Sequence, residues 1–249
     1  MSALTQDTAT QADQDLTDTP LTLAGETLVL DPAGALWIPS ARMLVIADMH
    51  LEKAASFARR GQFLPPYDSV ATLRALAALI ERRNPRSILC LGDSFHDPRS
   101  MDLIPDPIRS RLTALQRGRD WIWVTGNHDP DIPVTLGGEC VADHRLGELV
   151  FRHIPAGSSR TAEIAGHFHP AAKIRQRGRS VRRPAFVTDG VRLILPAFGY
   201  LTGGLNVLDA AIATLFRPGA MRSYALGTRR IYPIAPAMLQ PDRFSRLAS

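Results

Sequence analysis

The segment "MLVIADMH", residues 43–50, joins a short apolar run to two residue types that bind metals. Residues 43–47 are continuously apolar, which is typical of a strand buried on both faces. Asp48 and His50 follow this run directly. Because ligands of open α/β sheets bind where the carboxyl ends of the strands meet the loops, the segment predicts a strand that delivers both side chains to a site.

Four more predicted strands end in the same way. A lone Asp-x-His or Gly-Asp pair is common and carries little information, whereas five such strand ends in order indicate one shared site. The strand "SILCL" (87–91) precedes Gly92-Asp93, "WIWVT" (121–125) precedes "GNHD" (126–129), "ELVFR" (148–152) precedes His153, and "RTAEIA" (160–165) precedes "GHFH" (166–169).

The segments between these strands indicate an α/β protein. Residues 68–83 carry apolar side chains at helical spacing, with Asp68 or Ser69 available as the N-cap. The second half of the chain consists of short apolar segments between Gly and Pro turns, including "LNVLDAAIATLF" at residues 205–216, and predicts a strand-rich half.

Composition places the chain among ordinary globular proteins, with 45% hydrophobic and 21% charged residues. No apolar run approaches 18 residues, so we expect no membrane span. Residues 1–20 contain four Asp and no Lys or Arg, which predicts a disordered acidic tail and not a signal peptide. We therefore expect one domain over residues 21–249. The two cysteines form no CxxC pair, which fits a cytoplasmic location.

The order of the five strand ends resembles that of the calcineurin-like metallophosphoesterases. The resemblance covers "IADMH", "LGDSF", "VTGNHDP", "FRHIP" and "AGHFHP", over roughly residues 43–170. It implies an α/β fold of four layers, a sandwich of two mixed β-sheets flanked by helices. It also implies a two-metal centre between the ends of the sheets.

The same resemblance assigns roles to individual residues. Asp93 would bridge two divalent ions, and His128 would face the phosphate as a catalytic residue. Asp48, His50 and His169 would complete the first metal site, and Asn127, His153 and His167 would complete the second.

The donor types restrict the metal and suggest the chemistry. Imidazole and carboxylate donors suit manganese, with iron and zinc as alternatives, whereas an all-oxygen site would suit magnesium or calcium. Two such ions generate hydroxide at neutral pH and hold the phosphate oxygens for in-line attack. A histidine beside them can stabilise the developing charge and protonate the leaving oxygen.

Three longer segments resemble a narrower family, the ligase-associated DNA damage response endonucleases. They are "GALWIPSARMLVIADMHLEKAASFARRG" (34–61), "LGDSFHD" (91–97) and "LILPAFGYLTGGLNV" (193–207). This resemblance implies a bacterial cytoplasmic nuclease that acts on DNA. Its implied partners in DNA repair are a DNA ligase, a helicase and an exonuclease.

A basic segment, "KIRQRGRSVRR" at residues 173–183, begins four residues after His169. In one continuous strand, Arg175, Arg177 and Arg179 would share a face, and with Lys173 they could follow a nucleic-acid backbone. The alternative is a charged edge strand that prevents aggregation.

Four other polar residues are further candidates for the site. His144 competes with His153 for the fourth strand end, and His153 is preferred because it directly follows an apolar strand. His96 and Asp97 either line the site or lie in a solvated loop. Asp129 is expected to orient its loop or His128 and not to bind metal.

These observations predict a metal-dependent phosphodiesterase, specifically an endonuclease that hydrolyses DNA. The first alternative is a phosphodiesterase or phosphatase for nucleotides or other small phosphate esters. The second is a non-catalytic DNA-binding or scaffold subunit.

Overall fold

The amino-terminal half of the chain builds the first sheet. The computed structural model describes residues 17–157, 161–176 and 178–242. Neighbours from β1 to β4 are antiparallel and those from β4 to β7 are parallel, so β4, β5 and β6 end at the same edge. The strands, in both spatial and chain order, are β1 (Thr19–Leu23), β2 (Glu26–Leu30), β3 (Leu36–Ile38), β4 (Met43–Ile46), β5 (Ser87–Leu91), β6 (Asp120–Val124) and β7 (Glu139–Val141).

Helices connect the parallel strands of this sheet. The helix predicted over residues 68–83 is confirmed, but Asp68 and Ser69 do not cap it. Asp68 accepts a hydrogen bond from the amide of Ala54 at 3.0 Å, and Ser69 accepts one from the amide of Glu52 at 2.7 Å. Both side chains therefore anchor the helix that precedes their own. The helices are α1 (Lys53–Arg59), α2 (Asp68–Arg83), α3 (Pro98–Asp102) and α4 (Asp106–Gln116), followed by a 3-10 turn at Val134–Leu136.

The carboxyl-terminal half builds the second sheet. Strand β10 lies parallel to β9 and β13, whereas all other neighbouring strands in this sheet are antiparallel, so both sheets are mixed. Its order is β15-β14-β12-β13-β10-β9-β8, and β11 pairs with β12 outside this order. The strands are β8 (Asp143–Leu146), β9 (Leu149–Arg152), β10 (Glu163–Ala165), β11 (Ala171–Gln176), β12 (Arg179–Thr188), β13 (Arg192–Ile194), β14 (Arg222–Leu226) and β15 (Ile231–Ile234).

Alternating side chains of the strands produce the layers. In β4, Leu44 and Ile46 pack against the helices, whereas Met43 and Val45 pack between the sheets. A third core covers the outer face of the second sheet and includes Ile212 of the short helix α5 (Ala210–Ala213). The predicted α/β sandwich of two mixed sheets with flanking helices is confirmed.

The second half is strand-rich, as predicted, but two of its segments differ from expectation. The segment at residues 205–216 contains α5, because Asp209 accepts a hydrogen bond from the amide of Ala211 and starts a helix. The basic segment is not one strand but the hairpin of β11 and β12, with Arg175 opposite Ser180 and Gln176 opposite Arg179. Since directly paired residues share a face, Arg175 and Arg179 lie on opposite faces. Arg177 lies outside the described residues.

The predicted boundary of the acidic tail is also too late. Strand β1 begins at Thr19, and Asp18 forms an ion pair with Arg83, so residues 17–20 belong to the fold. The rest of the predicted tail, residues 1–16, lies outside the described residues. Within the described part of the chain, no helix combines the length and apolar character that crossing a membrane requires.

Candidate metal centre

The ends of five strands meet where the two sheets face each other. Strands β4, β5 and β6 bring Asp48, Asp93 and Asn127, and strands β9 and β10 bring His153 and His167. Three groups of potential metal donors form here, and in each group the donor atoms lie within 4.8 Å of one another. Two of them share Asp93 and contain carboxylates: Asp48, His50, Asp93 and His169, and Asp93, His153 and His167. The third consists of imidazoles alone, those of His50, His96 and His128.

The first group surrounds the end of β4. His169 Nε2 lies 3.2 Å from Asp48 Oδ1 and 3.3 Å from His50 Nε2. His50 Nε2 in turn lies 3.9 Å from Asp93 Oδ2. All four side chains therefore turn a donor atom toward one point.

The second group shares Asp93 with the first. His153 Nε2 lies 3.3 Å from Asp93 Oδ2, 3.2 Å from His167 Nδ1 and 3.0 Å from Asn127 Oδ1. Asp93 thus contributes to both groups, and the Asn127 amide oxygen joins the second. Every residue predicted to bind metal lies in this cluster.

The donor spacing fits metal ions. Two donors about 2.1 Å from a shared ion lie about 3 to 3.5 Å apart, which matches the separations measured here. His153 and His169 also have oriented rings, because their Nδ1 atoms lie 3.0 Å from the Leu91 carbonyl and 3.1 Å from the Gly203 carbonyl. An Nδ1–H bond of this kind leaves Nε2 free to bind a metal.

The charges of the cluster also favour a cation. Burial acts to lower the pKa of His153, but the hydrogen bond to Asp93 and the charges of Asp48 and Asp93 outweigh it and raise the pKa to about 9. Burial acts to raise the pKa of Asp93, but His153 and His50 outweigh it and lower the pKa to about 2. The carboxylates therefore attract positive charge to this position, and a divalent ion would take the place of the proton on His153.

The backbone of the cluster adopts a strained conformation. Asp48, His50, Asp93, His167 and His169 all have φ between 44° and 72°, in the left-handed region. This region costs a residue other than glycine about 1–2 kcal/mol. Such strain concentrates at functional sites, and here it coincides with five of the seven predicted ligands.

Two glycines allow the strand ends to approach one another. A Cβ at Gly92 would lie 2.5 Å from the ring of His153, and a Cβ at Gly126 would overlap the backbone and carboxylate of Asp93. Only a residue without a side chain fits at these positions. The close packing explains the glycine in the "LGD" and "TGNHD" motifs.

Asp129 holds two of the ligand loops together. Its carboxylate is completely buried and accepts hydrogen bonds from the amides of Asp93, Ser94, Phe95 and Gly126 at 2.6–3.2 Å. Burial raises its pKa to about 7, with a contribution from the charge of Asp93, against the opposing effect of the N–H donors. The expectation that Asp129 orients its loop agrees with these contacts.

His128 is the exposed histidine of the site. Its side chain is 40% exposed, compared with 5% for His50 and 3% for His153. Its Nδ1 lies 2.6 Å from the carbonyl of His96, an arrangement that leaves Nε2 free, 4.0 Å from Asp93 Oδ2. The imidazole can therefore meet a substrate bound beside the donor cluster.

His96 also lines the site, stacked on His128 with ring centroids 5.4 Å apart. Burial, with the nearby charge of Lys53, lowers its pKa to about 4, so the ring is neutral at physiological pH. Asp97 does not reach the donor cluster and instead caps α3. The sequence left these two positions open, because a loop's path cannot be read from residue types.

The remaining predicted residues lie away from the donor cluster. His144 lines a groove at the opposite, amino-terminal ends of β4, β5 and β6. Lys173 Nζ lies 3.4 Å from Asp242, and Arg175 and Arg179 are exposed on the hairpin. Arg182 and Arg183 line a cavity with His169, and the residue pattern alone did not single them out.

The family model described as calcineurin-like phosphoesterase matches residues 41–195, which is more than half of the chain. The chain belongs to this family. It is therefore a hydrolase of phosphate esters, and the clustered His and Asp residues form a site for divalent metal ions.

The fold is similar to that of a solved nuclease structure. The nuclease MPE of Pseudomonas putida is 28% identical, with a TM-score of 0.69, over 88% of this chain and 100% of that chain. The phosphoesterase Yfce of E. coli is 15% identical, with a TM-score of 0.40, over 78% of this chain and 98% of that chain. A search of curated proteins finds no significant match.

Proposed function

We propose that this chain is an endonuclease that hydrolyses the phosphodiester bonds of DNA with two divalent metal ions. The observation that carries the proposal is the pair of donor groups that share Asp93 beside the exposed ring of His128. The similarity to the P. putida nuclease over its whole length supports a nucleic-acid substrate.

The two ions would be held by the residues that the sequence predicted. Asp48, His50 and His169 would hold one ion, and Asn127, His153 and His167 the other. Asp93 is the shared ligand, because its carboxylate lies within reach of both groups. Manganese fits this mixture of imidazole and carboxylate donors, and iron and zinc are the alternatives.

The chemistry divides between the ions and the protein. Bound as a pair, the ions supply Lewis-acid stabilisation of the phosphate oxygens and a nucleophile at neutral pH. His128 stabilises the charge that develops on the phosphate and gives a proton from Nε2 to the leaving oxygen. The bond to the His96 carbonyl keeps the ring in the orientation this transfer needs.

The proposal extends to a cellular role. The segments "LGDSFHD" and "LILPAFGYLTGGLNV" resemble those of endonucleases that act with a DNA ligase, a helicase and an exonuclease. We infer the same setting for this chain, a cytoplasmic repair system. Co-purification with the encoded ligase or helicase would test this part.

Comparing two substrates tests the activity. The purified protein, loaded with manganese, should nick supercoiled plasmid DNA and cleave oligonucleotides, and chelation should abolish both activities. Hydrolysis of bis(p-nitrophenyl) phosphate without cleavage of any DNA would overturn the proposal and favour the alternative substrates, nucleotides or other small phosphate esters.

A further inference from the structure

A cavity of about 170 Å³ opens beside His169, outside the donor cluster. Strand β12 supplies one wall with Arg182 and Arg183, and the loop after β13 supplies the other with Thr202, Gly203 and Gly204. Among the residues that the structure describes, no acidic side chain lines it. The cavity is therefore a positively charged recess that shares His169 with the candidate metal centre.

Direct contacts connect this recess to the metal centre. His169 Nδ1 lies 3.1 Å from the Gly203 carbonyl, and the guanidinium of Arg182 donates to the Gly204 carbonyl. Gly204 packs against the backbone of His169 so closely that a Cβ there would overlap it. The position of Arg182 is thereby fixed relative to the metal centre.

Arg182 keeps its charge available to a ligand. Among the described residues it faces one carboxylate, that of Asp242, with a separation of 3.7 Å, and its side chain is 37% exposed. Arg182 shares a face of the hairpin with Ala171 and Pro184, which also line the recess, whereas the side chain of Arg183 leaves β12 on the other face. An arginine guanidinium recognises phosphate through paired N–H donors.

We propose that this recess binds the phosphodiester next to the scissile one in a polynucleotide strand. The inference rests on the proposed function and specifies how a strand is preferred over a small ester. A strand cleaved at the metal centre carries a phosphate on each side of the cleaved bond, and the recess offers one of them a cationic site. A single aryl phosphodiester has no group to place there.

Replacing Arg182 tests the recess. In the manganese-loaded enzyme, Arg182→Gln should raise KM for a single-stranded oligonucleotide by roughly tenfold or more, because a charge-assisted hydrogen bond to phosphate is lost. The fold-decrease in kcat/KM for bis(p-nitrophenyl) phosphate should be at least tenfold smaller than the fold-decrease in kcat/KM for the oligonucleotide. Arg111→Gln, an exposed position on α4, is the matched control for loss of one arginine.

A neutral linkage in the substrate identifies the phosphate involved. One methylphosphonate placed beside the cleavage site should slow the wild-type enzyme as much as Arg182→Gln slows cleavage of ordinary DNA. The variant should lose little more on the modified strand, because the two changes remove the same contact. Two outcomes would overturn the recess and leave the proposed function intact: additive losses for the variant on the modified strand, or equal losses on the oligonucleotide and on bis(p-nitrophenyl) phosphate. A wild-type enzyme that hydrolyses only the small ester would overturn both.

Discussion

The backbone amide of His128 donates a hydrogen bond of 2.9 Å to Asp93 Oδ1, while the other carboxylate oxygen lies within reach of His50 and His153. One oxygen of Asp93 thus orients the loop that carries the exposed histidine, and the other faces the positions proposed for the ions. The position of His128 therefore depends on Asp93, but the two side chains have different proposed roles, metal ligand and proton donor. Their substitutions should have different effects on bound metal.

Asp93→Asn should lose metal and activity together, because an amide is a poor bridge between two cations. Metal content of the purified variant, compared with its turnover, measures this. Asp120→Asn, at the amino-terminal end of β6, is the control for loss of one carboxylate. If Asp93→Asn retained two tightly bound ions and wild-type turnover, Asp93 would not be the ligand that the two ions share.

His128→Ala should keep its metal and lose turnover. Removal of a group that stabilises developing charge lowers kcat by roughly a hundredfold or more. His144→Ala removes an imidazole at the other end of the sheet and should leave kcat close to that of wild type. A metal-free His128→Ala protein would mean that His128 is itself a ligand.

Gly126→Ala should destabilise the protein and weaken metal binding. The new methyl group would overlap Asp93 and lie 2.6 Å from the Asp129 carboxylate, and overpacking of this kind costs about 1–3 kcal/mol. Urea denaturation gives the change in the free energy of unfolding. Gly157→Ala is the control, since no atom of a described residue, its chain neighbours apart, lies within 4 Å of a Cβ there, and equal stability of the two variants would contradict the close packing.

Asp97→Asn should destabilise the protein at neutral pH. Partial burial acts to raise the pKa of Asp97, but hydrogen bonds from Ser56 and Ser100 and the charge of Arg59 outweigh it and lower the pKa to about 2. The loss should be about 1 to 2 kcal/mol in the free energy of unfolding, allowing for screening by solvent, and it comes from the charge alone, because asparagine can still cap α3.

The pH dependence of this loss has a definite sign. A carboxylate with a lowered pKa contributes its full stability above its unfolded pKa of about 3.9 and loses it as the pH falls toward 2. Denaturation curves at several pH values should therefore show the wild type and Asp97→Asn converging below pH 4 or so. A difference that stays constant between neutral pH and pH 3 would show that the charge of Asp97 contributes nothing.

The two faces of the hairpin should differ in DNA binding. Arg175 shares a face with Lys173 and Arg182, whereas Arg179 lies on the other face. We expect Arg175→Gln to reduce the dependence of log affinity on log salt by about one unit, and Arg179→Gln to leave it unchanged. An equal effect of both variants would mean that the DNA contacts both faces or neither.

The position of the cluster was predictable because polar side chains follow each buried strand, whereas the role of each ligand came from the resemblance to a known family. A buried strand must be apolar, so the first polar residue after it marks the edge of the sheet. This rule selected His153 over His144, which lies within β8. It needed no knowledge of side-chain distances.

The basic hairpin was not predictable from alternation alone. Arginines at every second position fit a strand with one charged face equally well, and only the pairing of Gln176 with Arg179 reveals the turn. Gly178, with φ of 78°, is the signal that could have indicated it. Similarly, the cap provided by Asp209 could have marked the start of α5.

The left-handed residues of the site bear on protein design. A designer who copied the seven donor side chains onto the strand ends of another sheet would obtain their chemistry but not their directions. Five of these residues reach the cluster only from backbone angles that ordinary loops avoid. Transplanting this centre therefore requires its loops and not only its ligands. The loops include Gly92, Gly126 and the hydrogen bonds that the Asp129 carboxylate accepts.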